Sequence, residues 1–330
     1  MSSHPSSASA SPFRLALLGV LLMACTGEWP APIEVDLAQL TTDHDEWREW
    51  RRSRLVTPPG GAVLWVGLHD LGEGRTAFGS DPTLPIVLSA LDSPPHAGTL
   101  LRNGSGIVLE PAEGSPLRRD DGSPIVEAIA LGNDREGEFV QFAIGSLGMR
   151  IHAERGSDRL WLRVWDEDLP NRESFRLPAF YPVDAAWILP ARFDAYEEVK
   201  VMSVPDVTGG FIDYQARGEL VFRKDGKEQR LIATAGETSS AFFVMMWDST
   251  AVTETYQGGR YLSVPFPDES GWTSIDFNRT YNAPCVFTAF SVCGLPPRDN
   301  WLDMAVTAGE KRPDKPATLI ELRGERAVDR

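Results

Sequence analysis

The sequence predicts a mainly β protein, built as two packed antiparallel β modules with a short N-terminal helix. Three observations predict it. Short apolar runs recur from Val63 to Phe277, many of them alternating with polar residues, as half-buried strands do. The 29 glycines and 25 prolines fall largely between those runs, where turns are needed. A helical pattern is confined to the stretch before Pro58.

Length and composition bound the rest. At 330 residues the chain has room for two ordinary domains. Hydrophobic content of 42% and charged content of 24% are those of a globular protein. A mean hydropathy of -0.21 excludes a polytopic membrane protein. The net charge of -15 argues against nucleic acid as a partner, because phosphate binding needs a basic face. Oligomeric state leaves no mark in the sequence.

In chain order, residues 1–24 are expected to be a signal peptide. Arg14 precedes the apolar run Leu15–Met23, which is too short to span a membrane as a mature helix. Leu22-Met23-Ala24-Cys25 resembles a lipobox, which implies that Cys25 is lipidated and that the membrane is a partner through that lipid. The expected location is the bacterial cell envelope, on the periplasmic side of the outer membrane where the cell has one, since Thr26 and not aspartate follows the cysteine. The alternative is an ordinary signal peptide with Cys25 incidental. Residues 25–39 then form a tether.

Residues 40–57 read as the helix. Asp43 is placed to cap it, with Glu46 three residues on, and Trp47, Trp50 and Arg54 recur at helical spacing, so the tryptophans are expected to pin it to the domain behind; the alternative is an aromatic ligand clamp. Pro58-Pro59-Gly60-Gly61 stops it. A first β-sandwich module follows over 58–165, with strands expected near 63–68, 76–78, 86–88, 99–101, 106–109, 139–144, 149–152 and 160–164. An aromatic, proline-containing linker occupies 166–195. The second β module spans 196–312, with strands near 199–204, 210–214, 218–223, 229–234, 240–247, 253–256, 261–264 and 273–277. Asp225-Gly226 between two of these runs is a hairpin signal. Residues 313–330 form a charged tail.

Polar, proline and cysteine residues are densest from Ser274 to Lys311. Asp276, Asn278, Arg279, Tyr281 and Asn282 fall close together there, and Cys285, Cys293, Asn300 and Glu310 follow. With Asp248-Ser249-Thr250, Glu254-Thr255-Tyr256 and Gly259-Arg260-Tyr261-Leu262, this stretch resembles the bacterial domain of unknown function 1684 family. Arg163-Val164-Trp165-Asp166, Phe175, Phe180–Asp184 and Trp187–Phe193 extend the resemblance, so that it runs from Trp47 to Lys311. No activity comes with that family. Within the first module, Gly74-Arg75, Phe78-Gly79-Ser80 and His96-Ala97 resemble a degenerate forkhead-associated sandwich over residues 63–150. The arginine of that family's phosphothreonine site is missing, so the resemblance implies a fold and not phosphopeptide binding.

Known catalytic motifs are missing. There is no His-Glu-x-x-His, no Gly-x-Ser-x-Gly and no phosphate loop. Past the signal, the histidines are His44, His69, His96 and His152. A site in the second module is therefore built from Asp, Glu, Asn, Tyr, Arg and Cys, unless a histidine crosses over from the first half. Cys285 and Cys293 are expected to close a disulfide in an exported protein; a thiolate metal site or a reactive cysteine is the other reading. Asp276 and Glu310 are the candidate catalytic pair, sharing acid and base roles or chelating a hard divalent cation with the amides of Asn278 and Asn282. Beyond that cation no cofactor is evident, and no metal ligand set is assigned. Candidate binding residues are Arg260, Tyr256, Asn278, Tyr281, Asn282 and Asn300, with Arg260 or Arg279 holding an anionic group. The plainer reading is that these side chains pin an irregular loop by hydrogen bonds to backbone. Three functions stay open: binding of a small polar ligand by the C-terminal module, a hydrolase-like enzyme using Asp276 and Glu310, and a structural envelope lipoprotein without ligand.

Overall fold

The computed structural model describes residues 29–88, 93–154, 156–169 and 171–314. The expected signal peptide, Cys25, and all of the tail beyond residue 314 lie outside the described residues. Two compact units divide the chain, Met1–Ala31 and Pro32–Arg330, and the fold set out here is that of the second.

Helix α1 spans Leu37–Val56. It starts earlier than expected: Asp36, not Asp43, is the cap, and its carboxylate accepts from the N–H groups of Ala38 (2.8 Å) and Gln39 (3.3 Å). Asp43 sits inside the helix and accepts from Gln39 Nε2. The buried face is Leu40, His44, Arg51, Leu55 and Val56, a stripe that includes a histidine and an arginine. Trp47 is half-buried and packs edge-on against Phe180, with centroids 6.1 Å apart. Trp50 is 58% exposed, so it does not pin the helix. The physical reason is that His44 and Arg51 find carboxylates across the interface, the half-buried Asp276 and the buried Glu310, an anchor that an apolar-periodicity argument does not register.

Among the described residues the first module has ten strands: β1 Trp65–Asp70, β2 Gly74–Gly79, β3 Ile86–Val87, β4 Gly98–Asn103, β5 Gly106–Pro111, β6 Arg118–Arg119, β7 Ile129–Ala130, β8 Phe142–Ile144, β9 Leu147–Ala153 and β10 Leu160–Asp166. They form two five-stranded sheets, β1-β10-β9-β8-β6 and β3-β2-β4-β5-β7, antiparallel except for the β2–β3 pair. Phe78, Leu100, Leu109, Phe142, Met149, Ile151 and Leu162 belong to the core cluster of this module. Gly148 is required where β9 passes Trp165, because a Cβ at 148 would run into the indole.

The second module has eight strands: β11 Ile188–Pro205, β12 Phe211–Lys224, β13 Lys227–Thr234, β14 Ala241–Asp248, β15 Arg260–Pro265, β16 Trp272–Asp276, β17 Tyr281–Asn282 and β18 Trp301–Leu302. Strand β11 begins inside the stretch expected to be a linker. The sheet order is β16-β11-β12-β13-β14-β15-β17, with β18 parallel to β14. The β12–β13 hairpin turns at Asp225 (φ 51°) and Gly226 (φ 76°), both left-handed, as the Asp-Gly signal predicts. The expected strand at 253–256 is absent: Asp248 caps a 3-10 turn, Ser249–Val252, and the chain coils back, with Glu254 and Thr255 N–H both reaching Thr250 O.

The sheet curls. Strands β15 and β16 are not paired, yet Thr273 Oγ1 donates to Pro265 O at 2.9 Å, so the two edges lie side by side. Ala191, Leu220, Phe222, Leu231, Val244, Leu262, Val264, Ile275 and Phe277 fill one face of the curl. Alternation sends Met245 and Tyr261 to the opposite face, where they join Tyr256, Cys285 and Cys293 in a second cluster beneath the 283–295 loop.

Candidate ligand-binding site

Helix α1 lies across the outer face of β15, β16 and β11, and between them is a cavity of about 850 Å³. Ser263 and Pro265 alternate out from β15, and Ser274 and Asp276 from β16, while Leu262, Val264 and Ile275 point to the core. The helix contributes Trp47, Trp50, Arg51 and Arg54, and the first module contributes Trp65. Arg279 and Tyr281 complete the wall.

Asp276 is the carboxylate among these lining residues. His44 Nε2 approaches its Oδ2 at 2.9 Å, and Arg279 Nε lies 3.4 Å from the same oxygen. Oδ1 accepts from Asn278 N and Nδ2, both at 3.0 Å. A histidine from the first half therefore does cross over to the second module. Arg51 reaches Glu310 Oε1 at 2.9 Å through Nε and Asn282 O at 2.8 Å through Nη2, and its guanidinium lies 4.6 Å over the Tyr281 ring. Burial pushes the Tyr281 phenol up, against the opposing pull of Arg51, so it stays a neutral hydroxyl. Among the described residues no carboxylate partners Arg54, which is exposed at the rim.

The sequence candidates separate into two groups. Asp276 and Tyr281 line the cavity. Glu310, 0% exposed, does not; it is closed in by Arg51 and by the Asn282 N–H at 2.8 Å. The two carboxylates proposed to share acid and base roles thus do not face one space. Gly309 (φ 78°) allows the close pass that seats Glu310, since a Cβ there would collide with Thr280 O.

Asn300 bridges strands, accepting from Ile232 N (2.6 Å) and donating to Ile232 O and Met245 O (3.1 and 2.8 Å). Asn278 Oδ1 accepts from Asp184 N and its Nδ2 donates to Asp184 O, so the amide is occupied by backbone. Asn282 Nδ2 donates to Lys311 O. Arg260 is buried with Asp248 at 2.8 Å and donates to Ala308 O and Val306 O (2.6 and 2.9 Å). Tyr256 is buried, its hydroxyl 3.9 Å from Cys285 Sγ.

The disulfide expected between Cys285 and Cys293 is not formed here: both are buried free cysteines. Cys293 Sγ instead accepts from Cys285 N at 3.3 Å and lies 3.2 Å from Ser291 Oγ. The neighbouring Cys293 thiol, followed by burial, pushes the Cys285 thiol well above its usual range, which keeps it protonated. Among the described residues no group of three or more His, Cys, Asp or Glu is placed to hold a metal ion. Sequence reasoning missed His44, Arg51, Arg54 and Trp65 as site residues. The available signal was their density of charge and indole on α1 and just after it.

Comparison with known proteins follows the second module. Residues 173–311 match the family described as Protein of unknown function (DUF1684). Among solved structures the chain is similar to an uncharacterized protein of Haloarcula marismortui, determined by solution NMR, at 31% identity over 42% of this chain and 78% of that one, with a TM-score of 0.36. It is also similar to Mycobacterium tuberculosis EmbR in complex with a low affinity phosphopeptide, at 15% identity over 40% of this chain and 32% of that one, with a TM-score of 0.20. No curated protein matches. The match to the family starts at residue 173, so α1 and the first module lie outside it, and the chain belongs to the DUF1684 family through its second module.

Proposed function

We propose that this member of the DUF1684 family binds a small anionic ligand with an apolar or planar body in the cavity beneath α1. The observation that carries the reading is the lining itself. Three guanidiniums, Arg51, Arg54 and Arg279, face a cavity that has one carboxylate and is walled by Trp47, Trp50, Trp65 and Tyr281. Glu310 answers Arg51 from behind, and Asp276 is held by Arg279 and His44, which leaves Arg54 as the positive charge in excess. In a chain of net charge -15, a positive aromatic pocket selects its ligand by sign as well as by shape. Indole and phenol faces offer stacking area for the ligand body, and a guanidinium holds a carboxylate or sulfonate by two parallel hydrogen bonds.

The test is a titration followed by fluorescence, with anilinonaphthalene sulfonate as the anionic aromatic probe and N-phenylnaphthylamine as its uncharged counterpart. The anionic probe is expected to bind saturably and more tightly than the neutral one. Arg54→Glu, on the exposed rim, is expected to weaken it about tenfold, or about 1.4 kcal/mol. Equal binding of the two probes, or no effect of Arg54→Glu, contradicts the reading.

A further inference from the structure

A second chamber, of about 300 Å³, lies at the junction of the two modules. His152 on β9, Arg163 on β10 and Arg135 from the loop after β7 line it from the first module, and Tyr214 faces them from β12. Trp65 and Pro284 line both this chamber and the cavity beneath α1.

His152 Nδ1 lies 2.8 Å from Asp134 Oδ2. Asp134 also accepts from Ala153 N at 3.1 Å, and Arg150 Nε lies 3.3 Å from its Oδ2. Burial works against the Asp134 carboxylate, but His152, the Ala153 N–H and Arg150 outweigh it and hold the group below the usual aspartate value. An ionised carboxylate only accepts, so the proton sits on Nδ1 and Nε2 offers a lone pair. Burial lowers the imidazole's own proton affinity, and Arg163 and Arg135 lower it further against the pull of Asp134, so the ring is neutral at neutral pH.

Positive charge surrounds this acceptor. Arg163 is buried, donates through Nη1 to Phe290 O at 3.1 Å, and lies 3.8 Å over the Trp65 ring. Arg135 is exposed and donates through Nε to Ala153 O at 3.2 Å. The carboxyl group in the lining, Glu154, is paired with Arg159 at 3.4 Å, and burial raises its pKa. The chamber is thus lined by two guanidiniums and by His152, whose Nε2 accepts a hydrogen bond.

We propose that this chamber is a second ligand site, for a small oxyanion that carries its own O–H: the anion faces Arg135 and Arg163, and the O–H donates to His152 Nε2. Phosphate and sulfate separate the two halves of this statement. Both are tetrahedral oxyanions, but near pH 7, close to its second ionisation, phosphate retains an O–H and sulfate has none. A site built around an unpaired acceptor rejects the ligand that cannot fill it.

The experiment follows the ring ¹⁵N and ¹H signals of His152 by NMR in the full chain, titrated with inorganic phosphate and then with sulfate at matched ionic strength. Phosphate is expected to produce a saturable shift, with sulfate about tenfold weaker, or about 1.4 kcal/mol. Arg135→Ala is expected to weaken phosphate by a similar factor, and its exposed position leaves folding intact. Arg54→Glu in the other cavity is expected to leave phosphate binding unchanged, whether or not it alters binding of the aromatic probe. No saturable shift with either anion overturns the proposal. So does equal affinity for the two, or loss of phosphate binding in Arg54→Glu with retention in Arg135→Ala.

Discussion

Two arginines hold the same short segment, Val306 to Glu310, from opposite directions. Arg260 holds it from within the sheet: its Nη1 and Nη2 are taken by Asp248 and by the carbonyls of Val306, Ala308 and Glu310, and the side chain is 1% exposed. Arg51 holds it from the helix: Glu310 and Asn282 O take one edge, while the guanidinium lies over Tyr281 and lines the large cavity. The chemistry of the two pairs is alike and their consequences differ. A fully enclosed ion pair can only position backbone, whereas one open to a cavity can also meet a ligand. On the proposed reading, scaffold and site differ in whether the charged edge is sealed.

The comparison breaks most readily at Arg260. Replacing it by alanine leaves the Asp248 carboxylate buried without its counter-ion and orphans the carbonyls of Val306 and Ala308. The expected loss is about 3–5 kcal/mol, read as a drop in the urea midpoint, with the second module unfolding first. Retained stability in Arg260→Ala would mean that the pair does not hold the segment.

Asn300→Ala comes next. It removes one acceptor and two donations that tie β13 to β14, and should cost about 2–3 kcal/mol, since buried backbone groups are left unpaired. Binding of the anionic aromatic probe by the folded variant should be unchanged, because Asn300 does not line the cavity.

A smaller, pH-dependent effect belongs to His152. Its folded-state pKa is depressed below 6.5, chiefly by burial, so the unfolded chain takes up the proton first as the medium is acidified. Stability from keeping this ring neutral is full above about pH 6.5 and is lost as pH falls from there toward the folded value. The groups facing it are Asp134, Arg163 and Arg135, with Arg150 bound to Asp134. In His152→Gln the difference between urea midpoints at about pH 7 and about pH 5.5 should shrink relative to the unaltered chain. An unchanged difference would show that the ring is not buried neutral.

Much of the scaffold was legible in the sequence because strands advertise themselves locally. The Asp225-Gly226 turn, the glycine-punctuated runs of the first module and the alternation along β14 and β15 each follow from residues next to one another. The helix was legible as an element but its contacts were not. Leu40, His44, Arg51 and Leu55 make a buried stripe whose two polar members look like surface residues until Asp276 and Glu310 are placed opposite them. Those partners lie 232 and 259 positions away, beyond any local pattern. The polar density of residues 274–311 was legible too, yet it pointed mostly to wiring: Asn278 and Asn300 use both ends of their amides on backbone, and Asn282 its Nδ2. A reading of residue types ranks such side chains as candidates, and only burial separates the bonded from the available.

The central claim is that the cavity-facing side of α1 supplies binding while the enclosed polar residues supply stability. One paired measurement tests it most directly: probe affinity and urea midpoint determined together for Arg54→Glu and Asn300→Ala. The account predicts that Arg54→Glu loses affinity with a midpoint nearly unchanged, within about 0.5 kcal/mol as for an exposed substitution, and that Asn300→Ala does the reverse. Affinity intact in Arg54→Glu, or lost only in proportion to stability in both variants, would contradict it.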